Sequence, residues 1–161
     1  MQKRCLMLMI YFSWAVYASG LAYLVWRAQW VFALGWLVAA PLIQWLFIAK
    51  FPALSPLMGY GRITDEPSLL TSRAPITVTL YTALGCPFCP LLEQRLHHLQ
   101  KTLGFELQKM DVTLRPDLLA GKGIRSVPVV EVGGRLLIGL VTSKDLAAAI
   151  TEAGVPAEVS R

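Results

Sequence analysis

Apolar residues fill the start of this chain almost without a break, and only later do they fall into a periodic pattern. Cys5 to Trp26 is a run of 22 uncharged residues, and after Arg27 a second run of 22 covers Ala28 to Ala49. As helices at about 1.5 Å per residue, each spans roughly 33 Å, against a hydrocarbon core of about 30 Å. A buried core helix needs far fewer apolar residues, so the pattern predicts a transmembrane helical hairpin over residues 1–50, with spans at 5–26 and 30–49. Trp26 and Trp30 fall at one interface, and Trp45 and Phe47 near the other. Pro41 predicts a kink in the second span, tolerable where a neighbouring helix or water satisfies the freed carbonyl. The connection Arg27-Ala28-Gln29 contains no Gly or Pro, so the pattern alone does not fix the turn.

Residues 51–75, "FPALSPLMGYGRITDEPSLLTSRAP", scatter Pro and Gly without a sustained period and read as a linker. From residue 76 the period changes. "ITVTLY" (76–81) alternates as a strand does. Between Pro87 and Leu103, the residues Leu92, Leu96, Leu99 and Leu103 recur at helical spacing. "FELQKMDV" (105–112) alternates again, and "RPDLLAGKG" (115–123) is a short helix with Pro116 in its first turn. "VPVVEV" (127–132) and "RLLIG" (135–139) flank Gly133-Gly134, a two-residue hairpin turn. Thr142 or Ser143 caps a last helix that Gly154 ends. The order β-α-β-α-β-β-α predicts an α/β domain over 76–154, a four-stranded sheet with helices on both faces, followed by a tail at 155–161.

Charge sharpens this division. The chain is 55% hydrophobic and 16% charged, below the roughly 25% charged of soluble domains. Five basic residues (Lys3, Arg4, Arg27, Lys50, Arg62) and no acidic one precede Ile63, whereas ten of each follow. The excess positive charge therefore belongs to the apolar part. A neutral C-terminal domain lacks the basic face that nucleic-acid binding requires, and no nucleic-acid partner is expected. Lys3, Arg4, Lys50 and Arg62 border the outer ends of the hairpin and only Arg27 lies in its loop. The positive-inside rule then predicts a two-pass protein of the plasma (inner) membrane with a cytoplasmic C-terminal domain. "VYA" at 16–18 also resembles a cleaved secretory signal, with cleavage near Ala18, but the apolar run continues to Trp26.

Neither span contains Asp, Glu, Lys, Arg or His, which speaks against ion pumping or proton relay and for an anchor or docking surface. Gln44 reads as a partner in an interhelical hydrogen bond. Trp14, Tyr17, Gly20 and Trp36 suit either lipid or a docked protein. Cys5, at the start of the first span, reads as a small apolar side chain.

Cys86 and Cys89, in "GCPFCP", stand where the first strand of the α/β domain passes into its first helix. A helix N-terminus offers partial positive charge and unpaired N–H groups, which favour a thiolate. In a C-x-x-C spacing this placement lowers a thiol pKa from about 8.5 toward roughly 3.5–7.5. The expectation is an exposed nucleophile at Cys86 and a more buried resolving thiol at Cys89, with Pro87 and Phe88 between them as candidate substrate contacts. A structural zinc needs four ligands, and His97 and His98 lie too far along the helix to join Cys86. No metal is expected, and both histidines read as exposed helix residues. A structural disulfide is the remaining alternative, and a cytoplasmic location argues against it.

"LYTALGCPFCP" after a strand, followed some forty residues later by "SVPVV" and a Gly-Gly hairpin, resembles a glutaredoxin-type member of the thioredoxin superfamily. The resemblance covers residues 75–153 and leaves the hairpin aside. It implies a thioredoxin-like fold with a mixed four-stranded sheet, and a cis Pro128 packed beside Cys86. It also implies that the Val127 backbone pairs with an extended substrate strand. A proline is the residue at which cis is accessible, and it cannot donate to a ladder; an edge-strand proline without function is the plainer reading. Thr82, Ala83 and Leu84 stand where glutathione-using members carry a Lys, and "GLVTS" (139–143) where they carry a Gly-Gly-Asp type segment. Glutathione is therefore a doubtful donor, and no cofactor beyond the dithiol is expected. Pro90 resembles the protein disulfide oxidoreductases and the N-terminal domains of peroxide-reductase flavoproteins. A helix starting at Cys86 would set Pro90 against the first hydrogen bond, and a later start frees it.

The sequence thus predicts a membrane-anchored thiol–disulfide oxidoreductase acting on protein thiols and disulfides. Its rivals are an accessory subunit of a larger membrane complex and a redox sensor.

Overall fold

The computed structural model describes residues 4–58 and 76–154. Lys3, Arg62, most of the expected linker and the tail at 155–161 lie outside the described residues. The chain opens with a two-residue strand, β1 (Cys5–Leu6), and two long helices, α1 (Met7–Trp26) and α2 (Trp30–Leu54). Both helices are long and apolar enough to cross a membrane. The α/β part comprises β2 (Thr77–Thr82), α3 (Phe88–Leu103), β3 (Glu106–Asp111), α4 (Pro116–Gly121), β4 (Ser126–Val127), β5 (Val129–Val132), β6 (Arg135–Ile138) and α5 (Ser143–Gly154).

The turn that the pattern left open has a definite chemistry. Gln29 N–H bonds the Leu24 carbonyl at 3.1 Å and Ala28 N–H the Val25 carbonyl at 3.0 Å. These are the two bonds of a Schellman ending, with Ala28 left-handed at φ 52° where glycine is usual. The helices then lock through residues that had suggested external docking. Trp36 Nε1 donates to the Tyr17 carbonyl at 3.3 Å and the two rings stack with centroids 6.3 Å apart. A Cβ on Gly20 would come within 3.3 Å of Trp36, so the glycine admits the indole. Tyr17, Gly20 and Trp36 therefore serve the hairpin itself.

Two expectations about the second helix change. It does not end near Ala49 but runs unbroken through Pro41 to Leu54. Pro52 removes a hydrogen bond only in the last turn, while buried Phe51 packs edge-on against Phe88 at 5.4 Å. Gln44, expected in an interhelical hydrogen bond, has its amide against Gly85 of the α/β part.

The sheet has the order β3-β2-β5-β6, with β2 and β3 parallel and the other pairs antiparallel. The mixed four-stranded sheet is the expected one. Its hairpin turns at Gly133 and Gly134, both at positive φ (55° and 80°), as a two-residue turn of this kind requires. One face receives α3 and α5 on Val78, Leu80, Val130 and Val132, through Leu92, Leu96, Leu99 and Leu146. Fully burying each such leucine contributes roughly 1.5–3 kcal/mol. The other face carries Tyr81, Val129, Cys86, Cys89 and Val127, and it is closed by Leu118 of α4 and by Met7 and Ile10 of the hairpin. Helices do cover both faces, but the N-terminal helical hairpin supplies part of one cover. Thr142, not Ser143, caps α5: its hydroxyl accepts the Asp145 N–H at 3.2 Å and donates to the Asp145 carboxylate at 2.8 Å.

The expected strand 127–132 is divided. Pro128 has no N–H to give a ladder, and the Val127–Pro128 bond is cis. Val129–Val132 joins the sheet, whereas Ser126–Val127 pairs antiparallel with Cys5–Leu6.

On the same face, Glu131 accepts from Tyr81 Oη and from Lys122 Nζ, each at 2.6 Å. Lys122 first, and Tyr81 second, hold the Glu131 carboxyl below its ordinary pKa. A carboxylate with a folded pKa below its unfolded value stabilises the fold above the unfolded pKa of about 4.3, and that stability is lost as pH falls through the lower value. Glu131→Gln is therefore expected to lower the unfolding midpoint of the full chain at pH 7, with the gap to wild type closing toward pH 3. A gap independent of pH would contradict the ion pair as its cause.

Candidate functional site

The loop from Ala83 to Pro87 delivers Cys86 to the end of the sheet. Cys86 N–H bonds the Ala83 carbonyl at 3.2 Å, and Gly85 takes a positive φ of 92°. Leu84 N–H donates to Thr113 Oγ1 at 2.7 Å, tying this loop to the one after β3. Helix α3 begins at Phe88 with Pro87 as its N-cap, so Pro90 occupies the third helical position, where no intrahelical hydrogen bond is lost. No side chain caps this end. The Cys89 N–H bonds the Cys86 carbonyl at 3.4 Å, which closes the turn that carries both cysteines.

Six residues were expected at the site, and their placements differ. Cys86, Cys89 and Val127 share one buried cluster, and Pro128 is fully buried. Pro87 is half-buried at the helix cap. Phe88 packs its ring on Phe51 of α2, so it meets the hairpin. His97 and His98 are exposed on α3.

The expectation of an exposed, easily ionised Cys86 is overturned. Its side chain is 1% exposed, and Cys89 is 4% exposed. The cause is the N-terminal segment, which the sequence pattern had assigned wholly to the membrane. Cys5 pairs with Val127 and Leu6 with Ser126, Met7 N–H reaches the Arg125 carbonyl at 3.2 Å, and Tyr11 Oη donates to the Thr113 carbonyl at 3.0 Å. Met7 and Ile10 are buried over the cysteines.

Beneath this cover Cys86 and Cys89 lie in one buried cluster, with Cys5 packed against it. The neighbouring Cys5 thiol favours a Cys86 thiolate. The Cys89 thiol, burial and the neighbouring sulfur's charge together outweigh it, and the Cys86 pKa is pushed up to about 12. Helix-terminal amides act in the expected direction, but desolvation disfavours the anion more. The three cysteines are free thiols. Among the described residues no group of three or more His, Cys, Asp or Glu side chains is placed to hold a metal ion.

Cys5, Leu6, Met7 and Ile10 are the residues that sequence reasoning missed. One signal for Cys5 was present: three cysteines with one C-x-x-C pair leave an odd thiol to be explained. Nothing in the order of residues linked it to a motif eighty positions away.

Residues 77–151 match the family model described as a glutaredoxin-like domain (DUF836). A search of curated proteins found no match to the chain. The family match and the mixed sheet agree on an α/β module of the thioredoxin-like type, preceded by two long apolar helices.

The burial of Cys86 predicts slow chemistry in the reduced, resting protein. At pH 7 iodoacetamide is expected to alkylate Cys86 at least about 100-fold more slowly than free cysteine, since only the thiolate reacts. The rate should climb about tenfold per pH unit up to pH 10. Met7→Asp, which sets a charge in the buried cluster, should raise the rate tenfold or more by freeing β1. Peptide-resolved mass spectrometry reads both, and a fast wild-type rate would show the sulfur to be open.

Proposed function

We propose that the chain is a membrane-anchored thiol–disulfide oxidoreductase with Cys86 as nucleophile and Cys89 as resolving thiol. The carrying observation is the seating of both cysteines at the start of α3 in one buried cluster with Val127, with β4 already pairing to an extended segment. Val127 and Pro128 shape the substrate groove, and a client segment replaces β1 on the β4 edge. There the Cys86 thiolate attacks one sulfur of a client disulfide and the other client sulfur leaves with the electron pair. Cys89 then attacks Cys86 Sγ, which frees the client dithiol and leaves the Cys86–Cys89 disulfide. Pro87 and the backbone around Phe88 border the reacting sulfurs. Protein thiols and disulfides are the substrates; Thr82–Leu84 and residues 139–143 favour a donor other than glutathione.

Two passes through the plasma membrane, with the α/β domain on the cytoplasmic side, are supported by charge and by surface. The exposed large apolar side chains concentrate on α1 and α2, Trp26 at 84% and Val31 at 80% among them. Retention of the first helix, against its loss as a cleaved signal, is favoured by Met7 and Ile10 in the domain's own core. Anchoring keeps the couple close to membrane clients and raises its effective concentration there.

A second reading has an observation of its own. Both thiols are buried and Cys86 is held protonated, which suits an interaction or sensing module within a larger membrane complex. Catalysis separates the two. Full-length protein in lipid nanodiscs is expected to reduce a disulfide-bonded peptide, and Cys86→Ser to lose at least about 100-fold of that rate. Cys89→Ala should accumulate mixed disulfides with several proteins in native membranes. A wild-type protein inert toward disulfides at every pH up to 9 would overturn the enzyme in favour of the subunit.

A further inference from the structure

The mechanism above leaves one nucleophile unused, although it touches the nucleophile that is used. Cys5 is set by backbone pairing opposite Val127, the position at which the proposed client strand docks. Its side chain packs against the buried cluster that holds Cys86 and Cys89. The strand is held by further bonds at Met7 and Tyr11. Outward from Cys5 lies a cavity of about 330 Å3, bordered by Arg4, Leu6, Met9, Ser13 and Gln44. Cys5 is therefore in contact with the buried couple on one side and half-exposed on the other.

We propose that Cys5 is the third redox thiol of this site and relays the disulfide from the buried couple to the junction of hairpin and domain. The proposal rests on the reading of Cys86–Cys89 as a redox couple. When the client dithiol leaves, β1 reoccupies the β4 edge and Cys5 faces the Cys86–Cys89 disulfide. Cys5 loses its proton to water, and its thiolate attacks Cys86 Sγ. The Cys86–Cys89 bond breaks, its electron pair leaves on Cys89 Sγ, and Cys89 takes up a proton. One disulfide is exchanged for another, so no external oxidant or reductant enters the step. The product, Cys5–Cys86, borders the cavity, where a thiol reductant can reach the Cys5 sulfur that Cys86 and Cys89 do not expose. The Arg4 charge beside the cavity favours the thiolate form of such a reductant.

The test uses the full-length wild-type protein in nanodiscs, poised across a series of dithiothreitol redox buffers, trapped by acid and alkylation, and digested without reduction. Mass spectrometry is expected to find a Cys5–Cys86 linked peptide, in addition to Cys86–Cys89, over part of the series. Cys89→Ala should convert most of its Cys86 to the Cys5–Cys86 form on mild oxidation with diamide. Cys5→Ser should slow dithiothreitol reduction of the oxidised couple about tenfold or more, through loss of the reachable sulfur. If Cys5 alkylates as a free thiol at every potential, in wild type and in Cys89→Ala alike, the relay is overturned. Reduction of a client peptide by that same protein would leave the oxidoreductase reading standing. A Cys5–Cys86 bond in a protein that reduces no client would instead support the pairing and overturn the enzyme.

Discussion

The arrangement of this molecule depends on a two-residue antiparallel pairing, Cys5–Leu6 against Ser126–Val127. It is small, yet it decides the chemistry of the site. Through it the first turn of α1 is drawn over the cysteines, Met7 and Ile10 enter the core of the α/β domain, and water is removed from Cys86. A backbone edge that would otherwise be open is satisfied within the chain, which is also how exposed strand edges are kept from pairing with the wrong partner.

Two opposing influences meet at Cys86, and their order of size matters. The amides at the start of α3 and the Cys5 thiol favour the anion. Burial and the adjacent Cys89 sulfur disfavour it, and they win, so the Cys86 pKa stands at about 12. The same helix terminus would act differently under water, where the desolvation penalty vanishes and the amides remain. The cover of β1, Met7 and Ile10 is thus what holds the Cys86 thiol protonated.

The hairpin and the domain are joined at more than this strand. Phe51 of α2 meets Phe88, the second residue between the cysteines, and Gln44 lies against Gly85, just before them. Helix α2 therefore borders the C-x-x-C loop at two points, and α1 joins the cysteine cluster through Met7 and Ile10. Thr113 ties the two parts as well, since its hydroxyl accepts the Leu84 N–H and its carbonyl accepts from Tyr11 of α1.

Much of the architecture was legible from the order of residues. The leucines at 92, 96, 99 and 103 set the helix, the alternation at 76–81 set the central strand, and Gly133-Gly134 set the hairpin, because each signal is local and its period is geometric. The uncharged runs likewise gave two long apolar helices, and the C-x-x-C spacing put Cys86 and Cys89 at the strand-to-helix junction, whereas a cis Pro128 came only from the family resemblance. What the order of residues did not contain was the environment of those cysteines. Ionisation depends on which atoms exclude water, and at Cys86 these come from Met7 and Ile10, some eighty residues earlier, within a run whose composition speaks only of lipid. That Cys5 is a neighbour of Cys86 was decided by tertiary structure alone, since strand pairing across such a distance carries no periodic trace in either segment.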